Sequence, residues 1–113
     1  MPMTNREKLH ELAGTVFDIQ DLIEYQTGAI VSQTLVDDEA VTVTVFAFDD
    51  GERLSEHTAP HDAILQVVDG TARITIEDDE YEVQDEESIV LPANKPHAVG
   101  AISEFKMLLT MIR

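Results

Sequence analysis

Hydrophobic residues alternate with a period of two over most of the chain after Gly28, and this pattern restricts the fold more than any other feature. In Val41–Phe48, valine alternates with threonine, and both are β-branched residues that favour strands. Many short strands with regular turns, and no long helix between them, predict an all-β sandwich or barrel. The other strand-like segments cover residues 63–68, 71–76, 81–83, 88–92 and 105–112.

A glycine turn separates two of these segments. The dipeptide Asp69-Gly70 follows one apolar strand and precedes the next. Because glycine tolerates positive φ, such a dipeptide favours a two-residue turn, and we expect a tight hairpin here.

Helical patterns are confined to the first quarter of the 113-residue chain. The segment Arg6–Leu12 predicts a short helix that Gly14 ends, and Asp18–Tyr25 predicts one further turn. We therefore expect one domain, in which residues 1–27 form an arm packed on a barrel of residues 28–113.

The charge excludes two classes of partner. The chain has 23 acidic and seven basic residues, with a formal net charge of −16, and many acids lie between Glu77 and Glu87. Such a surface repels phosphate backbones and anionic lipids, so we expect neither nucleic acid nor membrane binding. With no cysteine, no visible signal peptide and no apolar run near the ~18 residues of a membrane span, a cytoplasmic location is expected.

Two strands carry apolar or β-branched residues on both faces, namely Val41–Phe48 and Phe105–Ile112. A barrel wall needs only one apolar face, because its other face can meet water. A homodimer would cover the second face, and this is the partner that we expect. The alternative is that the N-terminal arm covers it.

Three histidines are candidate site residues, His57, His61 and His97, whereas His10 lies in the polar first helix and is expected at the surface. Imidazole is a common ligand of transition metals and the usual acid–base group near neutral pH. Histidines at strand ends could therefore bind a metal, or line a small polar cavity without one.

The spacing of these residues resembles the two motifs of the cupin superfamily. Gly51, His57 and Gly70 match the first motif, and Pro92 and His97 match the second. The resemblance runs from about Gly28 to the last residue and extends to a group of small, largely uncharacterised single-domain cupins. It implies a double-stranded β-helix, the cupin jelly-roll barrel, with a short N-terminal helical arm.

The departures from the family pattern concern the metal ligands. Where the motifs supply a second histidine and a glutamate, this chain has Ala59 and Ala63, so only His57 and His97 of four expected ligands remain. His61 could join them only if Ala59-Pro60 bends the chain, because four extended residues span about 13 Å. The second motif also has Glu86, Asn94 and Ala101 in place of glycine, glycine and asparagine. We expect no firmly bound cofactor, and at most a weakly held divalent transition metal.

Two functional classes follow from these features. The first is a binding module that holds a small molecule in the barrel, with His57, His61 and His97 at its polar end and an apolar wall of Leu65, Val67, Ile89, Met107 and Met111. The methionines could equally be plain core residues. The second is a metal-dependent enzyme of the cupin dioxygenase or isomerase type. The sequence indicates no substrate and leaves open whether the chain is an enzyme.

Overall fold

Nine antiparallel strands form two facing sheets in the computed structural model, which describes residues 6–113. The strands are preceded by one short helix and one 3-10 turn, neither of which is long and apolar enough to cross a membrane. The elements are α1 (Glu7–Leu12), the 3-10 turn (Ile19–Leu22), β1 (Ile30–Asp37), β2 (Val41–Phe48), β3 (Arg53–His57), β4 (Asp62–Asp69), β5 (Thr71–Ile76), β6 (Asp79–Gln84), β7 (Ser88–Leu91), β8 (His97–Ala101) and β9 (Phe105–Ile112).

The strand order gives a jelly roll, which confirms the predicted fold class. The large sheet has the order β1-β2-β9-β4-β7, and the small sheet has the order β3-β8-β5-β6. Strand β9 therefore lies in the middle of the large sheet, between β2 and β4. Each sheet draws its strands from distant parts of the sequence.

The barrel interior is filled by one face of each sheet. Period-two alternation turns Phe48, Leu65 and Phe105 inward from the large sheet, where they meet Ile74 of the small sheet, and all four are fully buried. The rings of Phe48 and Phe105 stack with their centroids 4.5 Å apart. Because this centre is apolar and fully packed, a polar side chain can lie beside the core only at the two ends of the barrel.

The outer face of the large sheet has its own apolar cluster, covered by the N-terminal arm. Ile23 of the arm is buried in the same cluster as Val45 and Ala47 of β2. The arm therefore covers the second apolar face of this strand within one chain, as the alternative to a homodimer anticipated. The predicted arm also includes residues 1–5, which lie outside the described residues.

The hairpin predicted at Asp69-Gly70 is wrong. Strand β4 belongs to the large sheet and β5 to the small one, so this dipeptide forms the corner at which the chain changes sheets. Gly70 has a φ of 80°, and a Cβ placed there would lie 2.1 Å from the carbonyl oxygen of Glu104. The positive φ that favours a hairpin turn also serves a tight corner, and the dipeptide alone does not distinguish the two.

Candidate functional site

A bulge in β3 brings two histidines together at one end of the barrel. Leu54 pairs with Val99 and His57 pairs with His97, so three steps along β3 match two along β8. The extra residue keeps His57 on the same face as Leu54, although an odd spacing would otherwise turn it to the other side. The ring centroids of His57 and His97 lie 4.4 Å apart, with their planes at 69°.

Both imidazole rings are held by backbone carbonyls two residues earlier in the chain. Nδ1 of His57 lies 3.1 Å from the carbonyl oxygen of Ser55, and Nδ1 of His97 lies 3.1 Å from that of Lys95. Because a carbonyl oxygen only accepts hydrogen bonds, each Nδ1 carries the proton and donates it. In a neutral ring, this leaves the Nε2 lone pair available as a base or a metal ligand.

The two histidines differ in their exposure to solvent. His97 is buried, with 6% of its surface exposed, and it pairs with Ile76 on the strand at its other side, whereas His57 is exposed. Burial lowers the pKa of His97 below its ordinary value, and the nearby His57 lowers it further, against an opposing effect of the Lys95 carbonyl. At neutral pH His97 is therefore an uncharged imidazole.

His57 ends β3 and His97 begins β8, and hydrogen bonds join the two connections beside them. The amide of Asn94 donates to the carbonyl oxygen of Ala59 at 2.7 Å, and the amide of Ala93 donates to a carboxylate oxygen of Asp62 at 2.7 Å. The β3–β4 connection is thereby fixed against the β7–β8 connection, next to the site. Sequence reasoning missed Asp62, because a carboxylate that binds a distant backbone amide follows no local motif.

His61 is not brought to the histidine pair as a third ligand. It lies half-buried in the bend before β4, and within residues 6–113 no group of three or more histidine, cysteine and acidic side chains could hold a metal ion. The Ala59-Pro60 segment does bend, but the bend does not bring His61 into a cluster with His57 and His97.

The apolar wall expected for a ligand is part of the packed core. Leu65 is fully buried and Met107 is 1% exposed, so neither presents surface to a ligand without opening the barrel. Met111 is half-buried and pairs with Ala63 near the start of β4. Of these three candidates, only Met111 keeps exposed surface beside the end where the histidines lie.

Comparisons with known proteins agree with the jelly-roll fold. The family model described as "Cupin domain" matches residues 44–113. A search of curated protein sequences finds no match.

Solved structures with similar folds include proteins of three bacteria. A conserved protein of unknown function from Streptococcus pyogenes is 32% identical, with a TM-score of 0.88 and coverage of 100% of this chain and 96% of that one. A cupin superfamily protein from Desulfitobacterium hafniense is 29% identical, with a TM-score of 0.84 and coverage of 88% and 91%. A cupin 2 conserved barrel domain protein from Leptotrichia buccalis is 41% identical, with a TM-score of 0.83 and coverage of 86% and 47%. This chain therefore belongs to the cupin superfamily.

Proposed function

We propose that this cupin is a binding protein whose barrel end holds a divalent transition metal weakly, through Nε2 of His57 and His97. The observation that carries the proposal is the matched orientation of the two rings, each with its Nδ1 proton engaged by a backbone carbonyl. Metal–imidazole bonds are about 2.1 Å long. Two rings whose centroids lie 4.4 Å apart can therefore bind one ion from neighbouring coordination positions. Water or a small organic molecule would complete the coordination.

The four-ligand metal centre of the family does not fit these residues. Ala59 and Ala63 carry no donor atom, and no third ligand lies beside the pair among residues 6–113. A cupin dioxygenase or isomerase needs a metal held firmly at a shaped, open position. A metal-dependent enzyme is therefore the second candidate function.

Metal titration of the purified protein tests the two-histidine site. Ni²⁺ is titrated by calorimetry into the parent and into His57→Ala, His97→Ala and His61→Ala. We expect weak binding by the parent, a loss of about tenfold or more in affinity in either of the first two variants, and little change in His61→Ala. Unchanged affinity in both His57→Ala and His97→Ala overturns the proposal.

Restoring the missing ligands tests whether the backbone still converges on a metal position. The double variant Ala59→His and Ala63→Glu would offer four ligand side chains of the kind that transition metals accept. We expect it to bind Ni²⁺ far more tightly than the parent, with circular dichroism as the control for folding. A folded double variant with unchanged affinity contradicts a shared metal position.

We also propose the homodimer expected from the sequence, with the outer face of the large sheet away from the arm as its contact. Exposed apolar side chains on this face support it: Val90 is 55% exposed and Ile112 is 52% exposed. Light scattering at micromolar concentration and high salt is the test. A monomer under those conditions contradicts the homodimer.

A further inference from the structure

The outer face of the small sheet carries a groove of about 320 Å³ that is separate from the histidine pair. Arg53 of β3 and Arg73 of β5 both line it, and both pair with Gly100 of the strand between them. Cross-strand partners project from the same face of a sheet, so the two arginines stand on either side of a residue without a side chain. Neighbouring strands are about 4.8 Å apart, and Arg53 and Arg73 lie two strands apart. Their Cα atoms are therefore roughly 10 Å from each other.

The floor between the arginines is open. A Cβ placed on Gly100 would meet nothing nearer than 3.7 Å, and its nearest neighbour would be Cβ of Arg53. Thr75 and Ala98, which pair with each other, extend the groove along the sheet, and Thr75 adds a hydroxyl group to it. A small ligand can therefore lie against the strands between two guanidinium groups.

Neither arginine is neutralised, in a protein with a net charge of −16. Within the described part of the chain, Arg53 and Arg73 form no ion pair or hydrogen bond through their side chains. Glu82 of β6 is the cross-strand partner of Arg73, and Glu80 also lines the groove, yet neither carboxylate lies within 4.0 Å of a guanidinium nitrogen.

The other five basic side chains are engaged. Four of them pair with acids, and Lys106 donates to the carbonyl oxygen of Gln20 at 2.6 Å. The four ion pairs are Arg6–Asp38, Lys8–Glu11, Lys95–Glu77 and Arg113–Asp37. The two unpaired positive charges thus share one groove although acidic residues outnumber basic ones 23 to 7.

We propose that this groove is a second binding site, which holds the phosphoryl or carboxylate group of a small molecule between Arg53 and Arg73. Guanidinium presents a planar fork of N–H donors that matches the oxygens of both groups, and such charge-assisted hydrogen bonds are stronger than neutral ones. The surrounding acidic surface repels anions at long range, so the site favours a small anion over an extended polyanion. The site requires no metal and stands independently of the histidine pair.

The test is a titration followed by amide NMR shifts, with inorganic phosphate in one arm and acetate in the other. Ionic strength is held constant with sodium chloride. We expect saturable shifts at Arg73, Thr75 and Gly100 in at least one arm, and the arm that saturates at the lower concentration identifies the preferred anion. Shifts that never saturate, or that chloride reproduces, overturn the proposal. Shifts that depend on protein concentration overturn it as well, because they assign the groove to a second copy of the chain.

Matched variants separate the groove from general charge effects. Arg53→Gln and Arg73→Gln should each weaken the saturating anion about threefold or more, whereas Arg113→Gln changes the net charge equally and should leave affinity unchanged. Gly100→Val keeps every charge and fills the floor, so it should also weaken binding while the fold, followed by circular dichroism, is retained. Equal weakening by Arg113→Gln, or full affinity in a folded Gly100→Val, contradicts the site.

Discussion

Glu86 occupies a backbone position that suits glycine. Its φ is 71°, in the left-handed region where an L side chain costs about 1–2 kcal/mol. The turn requires this shape, because the amide of Glu86 donates to the carbonyl oxygen of Val67 at 2.9 Å. Asn94 has a φ of 65°, but asparagine tolerates this region better than glutamate. Both are positions at which the resemblance to the cupin motif implies glycine, and both have the positive φ that glycine favours.

Glu86→Gly should therefore raise the free energy of unfolding. Glu86→Ala removes the same negative charge and keeps a Cβ, so the difference between the two variants isolates the backbone term. We expect the glycine variant to be more stable than the alanine variant by roughly 0.5–1 kcal/mol in urea unfolding. Glu87 has no positive φ, so at that position alanine should be the more stable of the pair. An alanine variant of Glu86 as stable as the glycine variant would contradict a strained turn.

Burial of His97 makes stability depend on pH. Its folded-state pKa is lowered, first by burial and then by His57, so between that pKa and the ordinary value of 6.5 the unfolded chain binds more protons than the native protein. The contribution of uncharged His97 to the free energy of unfolding is complete above pH 6.5 and is lost as the pH falls through the folded-state pKa. We expect the stability of the parent relative to His97→Asn to decline from pH 7.5 to pH 5.5 in urea unfolding. A constant difference over this range would mean that His97 titrates normally.

At the scale of elements, a cluster of three side chains fastens the N-terminal arm to the large sheet. The hydroxyl of Tyr25 donates to a carboxylate oxygen of Asp69 at 2.5 Å, and the ammonium of Lys106 lies 4.9 Å from the centre of the Tyr25 ring. Burial, and next the hydrogen bond to Asp69, raise the pKa of Tyr25 far above its ordinary value, so its hydroxyl stays protonated. The arm is thus held by polar contacts as well as by its apolar side chains.

Tyr25→Phe removes the hydroxyl and keeps the ring beneath Lys106. A hydrogen bond to a charged group contributes about 1.5–3 kcal/mol, so we expect the free energy of unfolding to fall by about that amount in urea unfolding. Tyr81→Phe is the matched control, because Tyr81 is exposed and its hydroxyl has no hydrogen bond among the described residues. Equal effects of the two substitutions would show that the Asp69 contact adds nothing.

Local pattern and long-range contacts differ in how far the sequence predicts them. The bounds of β2 are predicted by its alternation alone, and the motif spacing is enough to choose His57 and His97 as candidate site residues. The corner at Gly70 depends on which sheet receives the next strand, and the bulge before His57 depends on its pairing with β8. Such features are set by partners remote in sequence, so a period-two pattern cannot reveal them.

For the whole molecule, the net charge of −16 opposes the compact state. The acids repel one another across the surface, and salt screens them over a distance of about 10 Å at 0.1 M. We expect the melting temperature to rise by several degrees between 10 mM and 0.5 M sodium chloride, which corresponds to about 1 kcal/mol. Sucrose at equal osmolality controls for exclusion of solute from the surface. A melting temperature that is flat across the salt series would contradict this expectation.

The central place of β9 in the large sheet has a consequence for the order in which the barrel assembles. β9 follows every other strand in the sequence, yet it joins the β1–β2 pair to the β4–β7 pair. Until β9 is in place, β2 and β4 each have one edge without a partner strand. The pairing of β9 with β2 joins strands that are far apart in the sequence, and the entropy cost of closing such a long loop slows folding. Proteins dominated by non-local pairing fold in about milliseconds to seconds. The unpaired edges of β2 and β4, which could pair with another chain, therefore stay exposed until β9 has joined the sheet.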